Sequence, residues 1–343
     1  MGDLVKTLFT VVIGLGVLLA ALAALYGLTK FLPGRWSERG RISVFLIPAL
    51  FVILIGLLVP ALRTIYLSFF NDAPINKKFI GLKQYGEIFS GKDTRQTLFN
   101  SLTWVIVGTV ATTVIAIAIA RYADGMRGEK TVKSLIFIPG AISLAGAGII
   151  WRFVYASPPF KVGLLNQVTK SIPGLPNSLG GDGQRIWLLE RGIGGITPPT
   201  SAPGFNTFLL IVIFIWAQTG IATVILSAAI KGVPDTLIEA AKVDGATNKQ
   251  TFYKVTLPYI RATIVTVATL TTIAGLKSYD IVAASTGGNF GTSTIANDFY
   301  NLVYLQDRDG LGSAFAVLLF LLVIPVVVIN RRSQRRAEEL MGA

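Results

Sequence analysis

Long apolar runs constrain the fold of this chain more than any other feature of its 343 residues. Crossing the hydrocarbon core of a bilayer takes about 20 helical residues, and seven runs are long enough. They lie between Lys6 and Lys30, from about 42 to 70, between Arg95 and Arg121, between Lys133 and Arg152, from about 205 to 230, from about 262 to 283, and between Asp309 and Arg331. Because a span must satisfy its own backbone hydrogen bonds in lipid, the runs predict an all-α polytopic membrane protein with seven transmembrane helices.

The composition supports this class and excludes several kinds of chemistry. Only 14% of the residues are charged, against about 25% in a soluble protein, so much of the surface faces lipid or protein. The chain has no Cys and no His, which excludes disulfides, a thiol nucleophile, Cys/His zinc sites and imidazole acid–base catalysis. The net charge of +13 comes from basic residues beside the apolar runs, so we expect no nucleic-acid partner.

The first apolar run has two interpretations. Ala21-Leu-Ala23 resembles the cleavage site of a signal peptide. The run is long for such a peptide and the charge before it is weak, so we favour a retained transmembrane helix.

The distribution of Lys and Arg predicts the orientation. The alternating loops 30–41, 121–133, 231–261 and 331–343 hold 17 of the 31 basic residues. Loops rich in these residues remain in the cytoplasm. We therefore expect the C-terminus inside and the N-terminus outside.

The segments 71–95 and 153–204 then face outward. The second is rich in Pro and Gly, as in Ser157-Pro-Pro-Phe160, Pro173-Gly-Leu-Pro176 and Thr197-Pro-Pro-Thr200, whereas Arg185-Ile-Trp-Leu-Leu-Glu190 has the pattern of an ordered anchor. A loop of this length is usually functional or disordered. Two interpretations stay open, a packed cap over the helices and a docking surface for an external partner.

The segment between the fifth and sixth runs is polar and reads as two short helices joined by a turn. Pro234 suits a first helical turn and Asp235 the positive end of the helix dipole. Leu237, Ile238 and Ala241 share one helix face by their spacing. Gly245 suits the end of that helix, and 248–255 reads as the second helix.

Three further residues suit a protein partner. Ala240 and Ala241 are small enough to allow close approach, and Glu239 can meet a cationic group. The alternative is a surface hairpin that only connects two spans.

The amino-acid sequence of this segment resembles a known signature. Glu239-Ala-Ala-x-x-Asp-Gly-Ala246, followed by Leu257-Pro258, is similar to the EAA loop of type I ABC importer permeases. The likeness extends over 42–332 and is strongest to the maltose and α-glucoside group, in particular its larger, maltose-permease-like half. Further similar stretches are Ser134-Leu-Ile-Phe-Ile-Pro-Gly140, Ile150-Trp-Arg-Phe-Val154 and Thr286-Gly-Gly-Asn-Phe-Gly-Thr292. Many relatives carry Pro where this chain has Ala262, so we expect a less kinked start to the sixth span.

The resemblance implies an organisation and a set of partners. An extra N-terminal helix and basic loop (1–41) would precede the permease domain (42–332), with its outward loop 153–204 and its cytoplasmic EAA-like loop 231–261, and a basic tail (333–343) would follow. The chain would lie in a bacterial or archaeal cytoplasmic membrane with a homologous second permease, two ATP-binding subunits and an extracytoplasmic solute-binding protein. The residues expected to couple to the ATPase are Pro234, Glu239, Ala240, Ala241, Asp244, Gly245, Ala246, Leu257 and Pro258.

Polar residues within the spans are candidates for the solute path. Lys277 and Asp280 lie three residues apart and could pair at its mouth, or could simply reach water. Trp216 and Gln218 suit a sugar, through an aromatic face and an amide, although interhelical packing is an alternative. By alignment from the EAA-like loop, Gln218, Thr271, Gly275 and Ser278 fall near positions that contact sugar in relatives.

Three functional classes of membrane protein are alternatives for this sequence. The first is a permease of an ABC importer for maltose, trehalose or another α-glucoside; a glycerol phosphate or osmolyte importer is a variant of it. The chain has no Walker A sequence, so ATP and magnesium are expected in a partner and no cofactor in this chain. The second is an ion-driven carrier, for which Asp280 is the one intramembrane carboxylate and the EAA-like loop is unexplained. The third, a membrane enzyme, lacks a catalytic constellation.

Overall fold

The computed structural model describes residues 37–73, 76–157 and 162–341, together with six helical positions between 16 and 27. Most of the segment 1–41, including most of the predicted first span, lies outside the described residues, as does the end of Ser157-Pro-Pro-Phe160. Within the described part, the chain is helical apart from loops and two isolated bridges, Phe70 with Phe79 and Ile193 with Ile196. It divides into two compact units, residues 1–66 and 67–343.

The first unit contains one apolar helix that continues to Leu67. Helix α1 (Ser37–Ile53) passes through a π-helical turn (Leu54–Leu58) into α2 (Val59–Leu67). From Leu46 to Tyr66 its large apolar side chains are exposed, as expected for a helix that meets lipid or another protein. It corresponds to the second predicted span.

The second unit contains the remaining helices. In chain order they are α3 (Lys83–Ser90), α4 (Lys92–Thr103), α5 (Thr109–Ala123), α6 (Glu129–Ala141), α7 (Leu144–Val154), α8 (Leu164–Lys170), α9 (Phe205–Lys231), α10 (Asp235–Val243), α11 (Asn248–Thr251), α12 (Leu257–Tyr259), α13 (Arg261–Leu276), α14 (Asp280–Ser285), α15 (Ile295–Tyr300) and α16 (Asp309–Met341). The π-helical segment Trp104–Gly108 joins α4 to α5, and the π-helical segment Phe252–Thr256 joins α11 to α12. A third, Asn301–Leu305, follows α15.

Four described helices are long and apolar enough to cross a membrane: Leu46–Leu67, Lys92–Ala123, Phe205–Lys231 and Asp309–Arg335. Two bent pairs have the same character, Glu129–Ala141 with Leu144–Val154 and Asn248–Tyr259 with Arg261–Leu276. If each pair is one span, the described part has six spans by length and composition. They correspond to the second to seventh predicted runs, and the predicted total of seven stays a prediction.

The fourth run differs from the single straight span that its apolarity predicts. It bends by 102° between α6 and α7. Pro139 lies in the last turn of α6, Ile142 is extended, and the Ser143 hydroxyl accepts a hydrogen bond from Gly146 N to cap α7. Since Pro has no backbone N–H and a capping Ser starts a new helix, these residues break the run.

The sixth run also differs at both ends. The chain bends by 68° at its start, where Ile260 leaves helical geometry just after Pro258. The bend therefore forms without a Pro at position 262. At the other end the helix stops at Leu276 rather than near 283, and a separate short helix begins at Asp280.

Helix α9 lies at the centre of the second unit. Of its 27 residues, 14 are buried. Towards its C-terminal end it packs against α5 and α13 through Ala116, Ala120, Ala222, Leu226 and Val267. Towards its N-terminal end it belongs to a larger aromatic and aliphatic core that includes Trp104 of the third span and Trp187 of the loop 153–204.

A close backbone approach joins α9 to α6. A Cβ atom at Gly220 would lie 2.4 Å from Ile136 O and 2.8 Å from Phe137 Cα. In lipid the association of helices depends on close packing rather than on the hydrophobic effect, which favours small residues at such contacts. Only glycine fits this position without moving a backbone.

We therefore expect Gly220→Ala to destabilise the protein by about 1–3 kcal/mol, the usual cost of overpacking, because α6 must move away from α9. Gly86→Ala in α3 is the matched control, since no atom lies within 4 Å of a Cβ there. Thermal unfolding of the purified protein in detergent measures the difference. Equal Tm values for the two variants would contradict the close approach.

Candidate functional site

The polar hairpin, defined here as residues 235–259, consists of α10, a turn, and α11 joined to α12. Pro234 is extended and lies just before the helix, one position earlier than predicted. The helix ends in a Schellman motif, in which Gly245 N donates to Lys242 O (3.0 Å) and Ala246 N to Ala241 O (2.9 Å). Gly245 has φ +81°, so the predicted role of this glycine in the turn is confirmed.

The second half of the hairpin starts with a capping box. Thr247 Oγ1 accepts a hydrogen bond from Gln250 N (3.3 Å), and Gln250 Oε1 accepts one from Thr247 N (2.8 Å). The predicted helix at 248–255 is therefore present as α11 and the π-helical segment. Thr251, Phe252 and Thr256 are buried, so this half of the hairpin is anchored in the second unit.

Helix α10 has the opposite environment. None of its residues is buried. Ile238 and Ala241 are half-buried where α10 packs on the Phe252–Thr256 segment. Leu237 and Val243 remain 41% and 87% exposed, and Glu239 is exposed and absent from the ion pairs between described residues. The helix thus has an exposed surface, both acidic and apolar, that the other described residues do not cover.

A cluster of charged side chains fixes the end of α9 just before the hairpin. Lys133 Nζ donates to Glu129 Oε1 (2.6 Å) and also to Asp124 and Ser227. Ser227 Oγ donates to Asp124 Oδ1 (2.8 Å), and Lys231 pairs with Glu129. The 124–133 segment and the last turn of α9 are therefore joined, which places the loops 121–133 and 231–261 at the same end of the second unit, as the alternation of charged loops predicts.

The proposed path residues in α13 lie inside the second unit. Thr271 is 4% exposed and its hydroxyl donates to Val267 O (2.6 Å). A Cβ at Gly275 would lie 3.6 Å from Trp104 O. Ser278 is 2% exposed, and its Oγ has no hydrogen-bond partner among the described residues. Gly275 thus faces the third span, Ser278 lies just beyond the end of α13, and none of the three buried positions is open to a solute in this conformation.

Trp216 and Gln218 are half-buried in α9. Trp216 packs edge-on against Trp151, with ring centroids 5.7 Å apart. Because residues two apart lie on different faces of a helix, the aromatic ring and the amide are each partly accessible but do not form one surface. The arrangement suits both a sugar contact and helix packing.

Of the two interpretations of Lys277 and Asp280, an ion pair or side chains that reach water, the described residues show no ion pair. Both residues are exposed. Lys277 is the C-cap of α13 and Asp280 starts α14, so the two positions do not share a helix face. The interruption of the helix at residues 277–279 is the physical reason that the two side chains do not pair.

The opposite end of the third span carries contacts that sequence reasoning missed. Gln96 Nε2 (2.9 Å) and Asn100 Nδ2 (2.8 Å) both donate to Gly291 O, and Thr97 Oγ1 donates to Asp298 Oδ2 (2.6 Å). Amide side chains four residues apart at the start of an apolar run indicated a polar face. Their partner lies about 190 residues further along the chain and left no local signal.

The described part of the loop 153–204 is packed against the helices through Trp187 and Leu188. Trp187 is 4% exposed and its Nε1 donates to Asn166 Oδ1 (2.8 Å). The Arg185 guanidinium lies 5.1 Å from the Trp187 ring centroid. The predicted ordered anchor at 185–190 is present and part of a cap, and a docking role for this loop stays a prediction.

Comparison with known proteins places this architecture in a family. The family of binding-protein-dependent transport system inner membrane components matches residues 153–339. The chain belongs to this family.

Two permease proteins are similar to this chain over most of its length. The osmoprotective compounds uptake permease protein GgtC of Synechocystis is 39% identical over 87% of this chain and 100% of its own length. The alpha-glucoside transport system permease protein AglF of Rhizobium meliloti is 36% identical over 88% of this chain and 84% of its own.

A solved structure agrees on the fold. The bacterial alginate ABC transporter, in complex with an alginate pentasaccharide-bound periplasmic protein, contains a chain that matches with a TM-score of 0.67 and 19% identity, over 88% of this chain and 97% of that one. This family member is thus a multi-pass, all-α permease-type membrane protein.

The charged cluster yields a test of how this family member holds the end of α9. Lys133→Met removes the nearest cation of Asp124, while Glu129 keeps its pair with Lys231. We therefore expect a loss of about 1–3 kcal/mol of stability, chiefly from the partly buried Asp124 carboxylate. Lys130→Met, an exposed position one turn away, is the control. Thermal unfolding in detergent measures both, and adding Asp124→Asn to Lys133→Met should recover part of the loss. A Tm for Lys133→Met equal to that of Lys130→Met would refute the role of the cluster.

Proposed function

We propose that this chain is the permease subunit of a binding-protein-dependent ABC importer for a sugar, and that the polar hairpin couples it to an ATPase. The observation that carries the proposal is the exposed α10 surface on a hairpin otherwise anchored in a member of this permease family. Glu239 and the exposed Leu237 and Val243 suit a groove with a cationic residue and an apolar floor. Ala240, which is also exposed, leaves room for that groove to approach.

The proposal assigns the remaining components to other chains. ATP and magnesium bind to two ATP-binding subunits, because this sequence has no phosphate-binding Walker A loop. A homologous second permease completes the path, and an external solute-binding protein delivers the solute. In this proposal the extra helix with its basic loop comprises residues 1–41, the permease domain comprises 42–332 and the tail comprises 333–343. The C-terminus lies in the cytoplasm of a bacterium or archaeon.

The first candidate solute is an α-glucoside such as maltose or trehalose. The name of the relative AglF supports this class. The half-buried Trp216 and Gln218, on different faces of α9, provide a ring for the apolar face of a sugar and an amide for its hydroxyls. Osmoprotective compounds are the second candidate, because the more similar relative GgtC carries that description.

An ion-gradient-driven carrier is less well supported. Its one candidate carboxylate, Asp280, is exposed and lies beyond the end of α13. A carrier also needs no exposed hairpin of this kind. The observed geometry therefore favours dependence on a separate ATPase.

The decisive experiment is reconstitution of the chain with its co-expressed neighbouring subunits. ATP hydrolysis is measured with and without the binding protein loaded with maltose, trehalose or a non-sugar osmolyte. The double variant Glu239→Arg, Gly245→Asp should reduce the stimulated hydrolysis by about tenfold or more, equivalent to ~1.4 kcal/mol of docking free energy. It reverses the exposed charge and strains the left-handed turn at position 245.

The control for that experiment is Lys130→Glu. It is also a charge reversal at an exposed position, but it lies outside the polar hairpin and outside the loop 153–204, and it should leave hydrolysis unchanged. Failure of any ATPase to associate, or normal hydrolysis by the double variant, would reject the coupling role. The solute that stimulates hydrolysis decides between the two candidate classes.

A further inference from the structure

Arg121, at the end of α5, faces aromatic rings of the polar hairpin. Its guanidinium carbon lies 4.2 Å from the ring centroid of Phe252 and 5.4 Å from that of Tyr253. A third ring, that of its neighbour Tyr122, lies 5.4 Å away. These distances are within the range of cation–π attraction, which reaches to about 6 Å.

The ring nearest to Arg121 is well fixed. Phe252 is 8% exposed and packs edge-on against Tyr253, with centroids 5.4 Å apart. Both residues open the π-helical segment on which α10 packs. None of the ion pairs between described residues includes Arg121, so the rings are its chief partners there.

The helix that carries Arg121 also reaches the opposite end of the second unit. The third span is helical from Lys92 to Ala123, and near its start Gln96 and Asn100 hold the backbone of Gly291. One span therefore contacts the segment 286–293 at one end and the polar hairpin at the other. Its hairpin end is itself held in the core, since Ala120 and Ala123 are buried.

We propose that Arg121 is a positioning residue that transmits movement of the polar hairpin to the third span through its contact with Phe252. This inference rests on the proposed function, in which the hairpin docks on an ATPase. Without the contact, the hairpin keeps its Schellman turn, its capping box and its attachment through the end of α9. The ATPase can still dock on α10, but the third span no longer follows the hairpin.

The test is the ratio of solute taken up to ATP hydrolysed, measured in the same proteoliposomes containing the complete complex and its loaded binding protein. Arg121→Gln removes the cation and keeps much of the length, and Phe252→Leu removes the ring and keeps an apolar residue. Each should lower the ratio by about 3- to 30-fold, the range that corresponds to the strength of a cation–π contact. Arg121→Lys keeps a cation and should restore part of the loss.

The two single changes act on one contact, so the double variant should be no worse than the more severe single variant. Arg127→Gln, at an exposed position of the same loop, is the matched control and should leave the ratio unchanged. An unchanged ratio in Arg121→Gln, additive losses in the double variant, or Arg121→Lys no better than Arg121→Gln would overturn the proposal.

Assembly is followed by copurification of the subunits. If Arg121→Gln fails to assemble, Phe252→Leu decides; if neither assembles, the contact is needed for folding and the inference is wrong. Failure of the proposed function looks different. In that case the unmodified complex would show no ATP-dependent uptake, or no ATPase would associate with any form of the chain.

Discussion

The close packing of α9 against α5 and α6 is the constraint on which the rest of the second unit depends. Lipid supplies no hydrophobic drive between helices, so the bundle is held by backbones that approach closely at small residues. Gly220 meets the backbone of α6, and Ala222 meets Ala116 and Ala120 of α5. Because α9 ends at Lys231, its position also determines where the polar hairpin starts.

The polar hairpin combines two different environments within about 25 residues. Its second half is buried at Thr251, Phe252 and Thr256, while α10 has no buried residue. The turn between the halves is fixed by its own hydrogen bonds rather than by packing. A surface helix held in this way keeps its orientation without covering its outer face, which is what docking of a separate subunit requires in the proposed importer.

The sequence was most informative where a structure depends on local residues. Helical spans follow from long apolar runs, and the hairpin turn follows from Gly245, whose backbone reaches φ +81°. The sequence was least informative about bends inside an apolar run, because the residues on both sides of the bend are equally apolar. The 102° bend beside Ser143 is an example. The contact of Asn100 with Gly291 and that of Arg121 with Phe252 join residues far apart in the chain, so periodicity and caps could not reveal them.

The positions of the path residues indicate which helix must move in the proposed importer. Thr271 and Gly275 lie buried on α13, and Ser278 lies buried just after it. Gly275 packs against Trp104 of the third span, so a solute can reach it only if these two helices separate. Helix α13 follows the polar hairpin directly, through the bend at Ile260. Both helices thus border the hairpin, one through the chain and one through Arg121. A ligand or ATPase state that favours one hairpin position would therefore change the population of the open arrangement.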